Sequence, residues 1–125
     1  MAISMNATLR NNRLDQITTF AGAGAILKVY TAAYAAALYQ SNCSATFAPA
    51  ASGGVLTANA VANSGAATGA GIAAAARLYK SDGATLILDG LTVGTSGTNV
   101  VITNTTIALN DIITTSSFTI TEGNP

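Results

Sequence analysis

The sequence predicts a mainly β fold, namely a single β-sandwich or jelly-roll-like domain with a short N-terminal helix. The last third of the chain holds many short apolar runs, separated by turn residues at near-regular spacing, as in sandwiches and barrels. An Asp-Gly pair between two of these runs is a strong hairpin signal. The 125 residues suit one domain, which can bury a core without disulfides or metal.

Helical periodicity is strongest at the N-terminal end, over residues 6–20. Ser4 or Asn6 can cap the start of this helix by accepting free amide hydrogens, and Gly22 and Gly24 can end it. A helix this short needs a partner surface to be stable. The apolar stripe expected to face that surface consists of Leu9, Leu14, Ile17 and Phe20.

A strand is predicted at residues 26–31, which are β-branched and aromatic and place Lys28 opposite its two aliphatic neighbours. The alanine-rich run that follows favours helix by propensity, but residues 41–44 break it early. We therefore expect a loop with a helical turn over residues 31–49.

Residues 50–71 are rich in Gly, Ala, Ser and Asn, with a short strand expected at Val55–Thr57. The segment is either a long surface loop or an arm that a neighbouring chain orders, because it buries little apolar surface alone. We expect part of residues 32–71 to form such an arm. The single domain then divides into an N-terminal helix region (1–24), a strand with this loop or arm (25–71) and a β-rich part (72–125).

The β-rich part carries the clearest strand signals. Residues 73–79 and 85–88 flank Asp82-Gly83, a turn in which both central residues are expected to take positive φ. Asp89-Gly90 predicts a break, followed by a short extension at residues 91–93. Beyond it we expect a turn at 94–97, a strand at 99–103, a corner at 104–106, an extension at 107–109, a turn at 110–111 and a strand at 112–121.

Charged residues are scarce, at 8% of the chain against about 25% in typical domains. The formal net charge is zero, and residues 29–76 carry no charge. Such a surface is either an ordinary neutral one or one that an assembly covers, and we favour the assembly. The five basic residues are matched by five acidic ones and form no dense stripe, which argues against nucleic-acid binding.

The residue inventory predicts that the chain is not an enzyme and holds no cofactor or metal. It has no His and one Cys, so Ser-His-Asp and Cys-His arrangements and clustered zinc ligands are excluded. The glycine-rich residues 65–71 lack the Lys-Ser/Thr of a phosphate loop. Cys43 cannot form an internal disulfide and is expected to be a small, semi-buried side chain.

Two weaker site hypotheses involve turn aspartates and tyrosines. Asp82, Asp89 and Asp111 lie in turns, where their side chains either bond to their own backbone or together bind calcium. We favour the backbone bonds, because the three lack the dense spacing of calcium ligands. The four tyrosines form either a sugar-binding platform or ordinary packing. Packing is favoured because Tyr30 and Tyr79 lie in predicted strands.

No membrane segment or signal peptide is expected. Residues 20–39 are long enough to span a bilayer, but Lys28 lies near their middle and most of the stretch is Ala and Gly. The N-terminus lacks the basic start and leucine-rich run of an export signal.

Several pieces of the sequence, in order and spacing, resemble a group of small tailed-phage virion proteins. They cover both ends of the chain, whereas residues 34–71 depart from the pattern. The matching pieces are residues 9–17, 27–31, 77–83, 93–97, 104–107 and 116–121.

The resemblance implies a bacteriophage virion structural protein without catalytic residues, namely a capsid decoration or cement protein with a β-sandwich or jelly-roll fold. Its partners would be other virion proteins, chiefly the major capsid protein, and copies of itself in a homo-oligomer on the particle. It would be assembled in the bacterial host cytoplasm and reside in the virion. The alternative function is a tail-associated or receptor- or carbohydrate-binding β-sandwich module, since one fold hosts either role.

Overall fold

A computed structural model of the chain describes residues 6–121, and within them the chain is mainly β with one short N-terminal helix, as predicted. The helix, α1, spans Ala7–Ala21, and a single 3-10 turn spans Ala32–Tyr34. The strands are β1 (Ile26–Tyr30), β2 (Ala37–Asn42), β3 (Val55–Thr57), β4 (Gly71–Ile72), β5 (Ala75–Tyr79), β6 (Leu86–Gly94), β7 (Val100–Ile102), β8 (Thr106–Ile107) and β9 (Thr115–Thr121).

Seven of these strands form one curled sheet in the order β2-β1-β5-β6-β7-β9-β3, and β4 and β8 pair separately. Helix α1 contacts both β3, at the edge of the sheet, and β6, at its centre. The buried side chains of both ends of the sheet belong to one core, to which α1 contributes Leu14. The opposite face of β1 and β5 remains accessible and carries the candidate site.

Helix α1 begins where Asn6 accepts the amide hydrogen of Leu9 (2.8 Å) and ends at Gly22, which has a φ of 64°. Ser4 lies outside the described residues. The predicted stripe is only partly right, because Leu9 and Phe20 are exposed (47% and 51%) whereas Leu14 is buried. At about 100° per residue, both project at least ~120° away from Leu14 around the helix.

Strand β1 buries Leu27 and Val29 and turns Lys28 to the other face, as predicted. The expectation of a loop over residues 31–49 is wrong for part of that range, because β2 pairs antiparallel with β1. Strand β2 could not be predicted from local propensity, because it is the hydrogen bonds to β1 that hold these residues extended. The expected helical turn is present as the 3-10 turn.

Residues 58–70 lie folded onto the domain, as in the loop alternative rather than as an arm held away from it. The amide of Thr68 donates to Leu38 O in β2 (2.9 Å), and the amide of Ala62 donates to Asn42 O (2.9 Å). Further along the domain, Ser64 exchanges hydrogen bonds with Ile113 through its amide and hydroxyl. The two bonds to Leu38 and Asn42 cover the edge of β2, which would otherwise offer unpaired backbone groups.

The hairpin of β5 and β6 is confirmed, but its turn differs from the predicted one. Gly83 has a φ of 71°, whereas Asp82 stays outside the left-handed region. The loop closes through a hydrogen bond from Lys80 N to Thr85 O (2.9 Å). The Asp82 carboxylate accepts the amides of Ala84 and Thr85 (both 2.8 Å), so the side chain replaces the second positive-φ residue in organising the loop.

The predicted break at Asp89-Gly90 is wrong, because β6 continues through it as a β-bulge. Leu78 pairs with Leu88 and Ala76 with Leu91, so β6 carries one extra residue at this point. Gly90 has a φ of 72°, which suits the bulge.

A short loop, residues 95–99, leads from β6 back to β7, which runs in the same direction and pairs with β6 in parallel over two residue pairs only. Asn99 holds this connection, because its side chain accepts from both the amide and the hydroxyl of Thr92 (3.0 Å each). The expected strand at 112–121 corresponds to β9, which pairs with β7 and β3.

Candidate ligand-binding surface

The accessible face of β1 and β5 carries a cluster of aromatic and charged side chains, named here the tyrosine face: Lys28, Tyr30, Tyr34, Arg77, Tyr79 and Asp89. Strand alternation creates its β1 and β5 part, because Val29 and Leu78 are buried while the residues on either side of them point outward. The antiparallel register sets Lys28 directly opposite Arg77.

Like charges directly opposite each other destabilise a sheet. Here both cations contact aromatic rings instead of each other. Lys28 Nζ lies 4.7 Å from the ring centroid of Tyr79, and Arg77 Cζ lies 3.8 Å from that of Tyr34. Such cation–π contacts hold the basic groups against the sheet. Lys28 Nζ also donates to Gly83 O in the hairpin loop (2.9 Å).

Tyr34 reaches the face from the 3-10 turn, outside the sheet. Ala33 and Tyr34 both have a φ of 57°, a conformation that costs non-glycine residues about 1–2 kcal/mol each. The Tyr34 hydroxyl accepts the amide hydrogen of Gly90 in the β6 bulge (2.7 Å). Its ring meets that of Tyr30 edge to face, with centroids 5.4 Å apart. The strained turn and the bulge together therefore fix the position of this ring.

Asp89 neutralises part of the positive charge. Its Oδ1 accepts a hydrogen bond from Arg77 Nε (3.0 Å), in a pair that is partly exposed and therefore contributes little to stability. Hydrogen bonds from the Tyr34 hydroxyl and Arg77 lower the pKa of Asp89. With two cations and one carboxylate, the tyrosine face has a net charge of plus one at neutral pH.

The Tyr30 hydroxyl is a hydrogen-bond donor at neutral pH. Burial, and to a smaller extent the hydrogen bond with Tyr79, raises the pKa of Tyr30 to about 12. The pKa of Tyr34 is also raised, chiefly by its hydrogen bond to Asp89. Both phenols stay uncharged at neutral pH, with the Tyr34 hydroxyl hydrogen-bonded to Asp89 and the Tyr30 hydroxyl hydrogen-bonded to Tyr79.

A groove of about 240 Å³ adjoins the tyrosine face, between β1 and β2 on one side and residues 58–70, named here the covering segment, on the other. Ala37, Gly65 and Ala66 line it with small side chains. Its larger and polar lining residues are Lys28, Tyr30, Tyr39, Gln40 and Thr68. Tyr39 is only 5% exposed, and burial raises the pKa of its phenol.

A second cavity, of about 220 Å³, lies between α1 and residues 48–50. Asp15 lines this cavity, and its carboxylate already accepts the amide hydrogen of Ala51 (2.8 Å). We therefore interpret the cavity as part of the packing between α1 and residues 48–50.

The three turn aspartates do not gather. Asp82 organises the hairpin loop, Asp89 belongs to the tyrosine face, and Asp111 accepts the amide of Ala108 in its own turn (2.9 Å). Over residues 6–121, no group of three His, Cys, Asp or Glu residues is placed to hold a metal ion. Cys43 is buried, and burial raises its pKa to about 12.

The tyrosines differ most from expectation, because the structure brings three of them together and sets Tyr39 beside them. A signal was present in the sequence. Lys28-Val29-Tyr30 and Arg77-Leu78-Tyr79 both read basic, aliphatic, tyrosine. In two paired strands, that pattern puts a basic residue and a tyrosine from each strand on one face.

No family model matches this chain, and comparisons with curated proteins and with solved structures give no match either. None of the helical structure described between residues 6 and 121 has the length and apolar character needed to span a bilayer. Over residues 6–121 the chain is a mainly β domain with one α-helix and a mixed aromatic and cationic surface.

Proposed function

We propose that this chain is a structural subunit of a tailed-phage virion, specifically a capsid decoration or cement protein. Its partners would be the major capsid protein and further copies of itself. The subunit would be assembled in the host cytoplasm and act in the virion. The sequence resemblance to small virion proteins suggests this class.

The single observation that supports the proposal most is the exposure of large apolar side chains on a chain with few charges. Six of them are between 44% and 64% exposed. They are Leu9, Phe20, Ile72, Leu86, Leu109 and Ile112. Only ten residues are charged, and a net charge away from zero normally keeps a solitary domain from associating. An assembly that covers these side chains removes their exposure to water and the tendency to non-specific association that it causes.

Cement proteins gain binding strength from many modest contacts repeated by symmetry. No catalytic group is required for this role. The six side chains lie on the helix, the hairpin and the strands and turns around β8, so contacts to more than one neighbour are available.

Copy counting tests the proposal. Purified particles of the phage that encodes the chain are analysed by quantitative mass spectrometry against the major capsid protein. Hundreds of copies per particle are expected for a cement protein. A handful of copies would indicate a tail component instead, and absence from the particle would overturn the proposal.

The second candidate function is a tail-associated receptor- or carbohydrate-binding module. Clustered, accessible aromatic side chains favour that role, and the tyrosine face is such a cluster. The same copy-counting experiment separates the two functions.

A further inference from the structure

We infer that the groove beside the tyrosine face binds a saccharide, with Tyr30 as the stacking ring and Gln40 and Thr68 as hydrogen-bonding groups. A sugar ring has an apolar C–H face and a rim of hydroxyl groups. It is recognised by an aromatic side chain together with groups that both donate and accept hydrogen bonds. The inference concerns the free protein and does not depend on a place in the virion.

The lining of the groove matches that chemistry. Tyr30 supplies an amphipathic ring with a hydroxyl at its tip. Gln40 lies directly opposite Lys28 in the register of β1 and β2, on the same outer face. Its amide can donate and accept at once, as can the hydroxyl of Thr68, which suits sugar hydroxyls that do both.

The covering segment leaves room for the ring of the sugar. Gly65 and Ala66 form one wall and Ala37 part of the other, so the backbone approaches without bulky side chains. A volume of about 240 Å³ lies below the range of roughly 300–1,000 Å³ typical for drug-sized ligands. The groove therefore accepts a single sugar unit. Any further sugar units of a longer saccharide would lie across the tyrosine face.

The site is held in shape before a ligand arrives. Tyr30 is fixed by its edge-to-face contact with Tyr34 and by its hydrogen bond to Tyr79. Tyr34 is carried by a turn with two consecutive non-glycine residues at positive φ. Backbone strain of this kind persists where the surrounding structure enforces it and is concentrated at functional sites. Rigid aromatic side chains lose little entropy on binding.

The charges favour a sugar over a nucleic acid or another polyanion. Arg77 is already paired with Asp89, and Lys28 already donates to Gly83. The net charge of plus one is too small for a phosphate backbone, whose binding requires several cations.

Saturation-transfer NMR on the full chain tests the inference, with methyl glucoside, N-acetylglucosamine and glucuronate as probes. We expect saturation transfer to the ring protons of at least one neutral probe. Amide shifts should be confined to the groove, at Gln40, Thr68 and their neighbours. Tyr30→Ala and Gln40→Ala should each lower the affinity about tenfold or more, since each removes a direct contact.

Matched controls are available in the chain. Phe20→Ala removes an exposed aromatic ring, and Gln16→Ala an exposed glutamine, both on α1 away from the groove. These variants should bind like the wild type. Thermal unfolding of all variants identifies any that fail to fold, and Tyr30→Phe, which keeps the ring, should retain part of the affinity.

Three outcomes would overturn the inference: no transfer to any probe at millimolar concentration, binding that survives both groove variants, or binding of glucuronate alone that is lost in high salt. The last would indicate simple attraction to Lys28. Loss of the saccharide site would leave the copy number unaffected, and absence from the particle would leave saccharide binding unaffected, so the two proposals fail separately.

Discussion

The rings of Phe47 and Phe118 meet edge to face in the core, with centroids 5.5 Å apart and planes inclined by 81°. Phe118 belongs to β9, whereas Phe47 lies in the connection between β2 and β3. Both are among the most completely buried side chains of the domain. This pair therefore fastens the irregular middle of the chain to the C-terminal strand.

Replacing Phe118 by Ala should lower the free energy of unfolding by about 3–5 kcal/mol, because it removes a buried ring and leaves a cavity. Phe118→Leu should cost less, since it keeps most of the volume. Chemical denaturation measures both changes. Phe20→Ala is the control, because that ring is half exposed and its contact is with Lys80 Nζ (4.2 Å from the ring centroid), and it should change the free energy of unfolding by about 1 kcal/mol or less. Equal costs at positions 20 and 118 would contradict this core.

Gly69→Ala should destabilise the free protein by about 1–3 kcal/mol, as expected for overpacking. A Cβ at Gly69 would lie 2.6 Å from the carbonyl oxygen of Ala37, which the backbone of β2 cannot easily move. Gly65→Ala is the matched control, because a Cβ there meets nothing within 4 Å. Thermal unfolding compares the two.

The same pair of variants distinguishes a folded loop from an assembly arm. If residues 58–70 lie free of the domain before assembly, Gly69→Ala and Gly65→Ala will melt alike. Hydrogen exchange gives an independent measurement. The amides of Thr68 and Ser64, which donate to Leu38 O and Ile113 O, should exchange slowly in the isolated monomer.

Gly83→Val should destabilise the hairpin by about 1–2 kcal/mol, the typical strain of a left-handed conformation for an L-residue. Gly83 has a φ of 71°, and a Cβ there would have ordinary contacts with Lys28 and Ile26. The cost is therefore conformational rather than steric. Gly83→Asn should cost less, because Asn tolerates positive φ. Equal melting temperatures for the wild type and Gly83→Val would refute this turn.

Asp82 should make stability depend on pH at the acid end. Hydrogen bonds from the Thr85 hydroxyl and from the Thr85 and Ala84 amides lower the pKa of Asp82 from 3.8 to about 2. A carboxylate with a lowered folded-state pKa stabilises the fold above its unfolded pKa, and this contribution is lost as the pH falls through about 2. Asp82→Asn should therefore lower the melting temperature more at pH 6 than at pH 2. A carboxyl NMR titration with its midpoint near 4 would contradict the prediction.

Cys43 should be unreactive in the folded protein. It is 7% exposed, and burial raises its pKa to about 12, so almost no thiolate exists at neutral pH. We expect slow labelling by iodoacetamide in buffer and rapid labelling in denaturant, measured by intact mass. Rapid labelling of the native protein would show that the site opens easily.

Local signals in the sequence predicted the elements whose own residues determine them. Asn6 and Gly22 bound the helix because a side-chain cap and a positive φ are local requirements. The hairpin of β5 and β6 follows from Asp82-Gly83 between two apolar runs. The strand at β1 was predictable because its β-branched residues alternate between a buried and an accessible face.

Partners distant in sequence account for the errors. Leu9 and Phe20 are apolar but exposed, because only one side of α1 meets the sheet. Strand β2 has weak local propensity and exists because β1 pairs with it. Asp89-Gly90 resembles a turn, yet the partner strand β5 keeps it in register as a bulge.

By itself the sequence determined a mainly β domain with a capped N-terminal helix, few charges and no residues for common catalytic triads. Those properties follow from composition and short-range patterns. The tertiary structure alone decided that Lys28, Tyr30, Arg77 and Tyr79 share one face, that the strained turn brings Tyr34 to them, and that residues 65–68 complete a groove beside Tyr30. The physical reason is that strand register and loop closure join residues about 50 positions apart through hydrogen bonds and packing that no local pattern records.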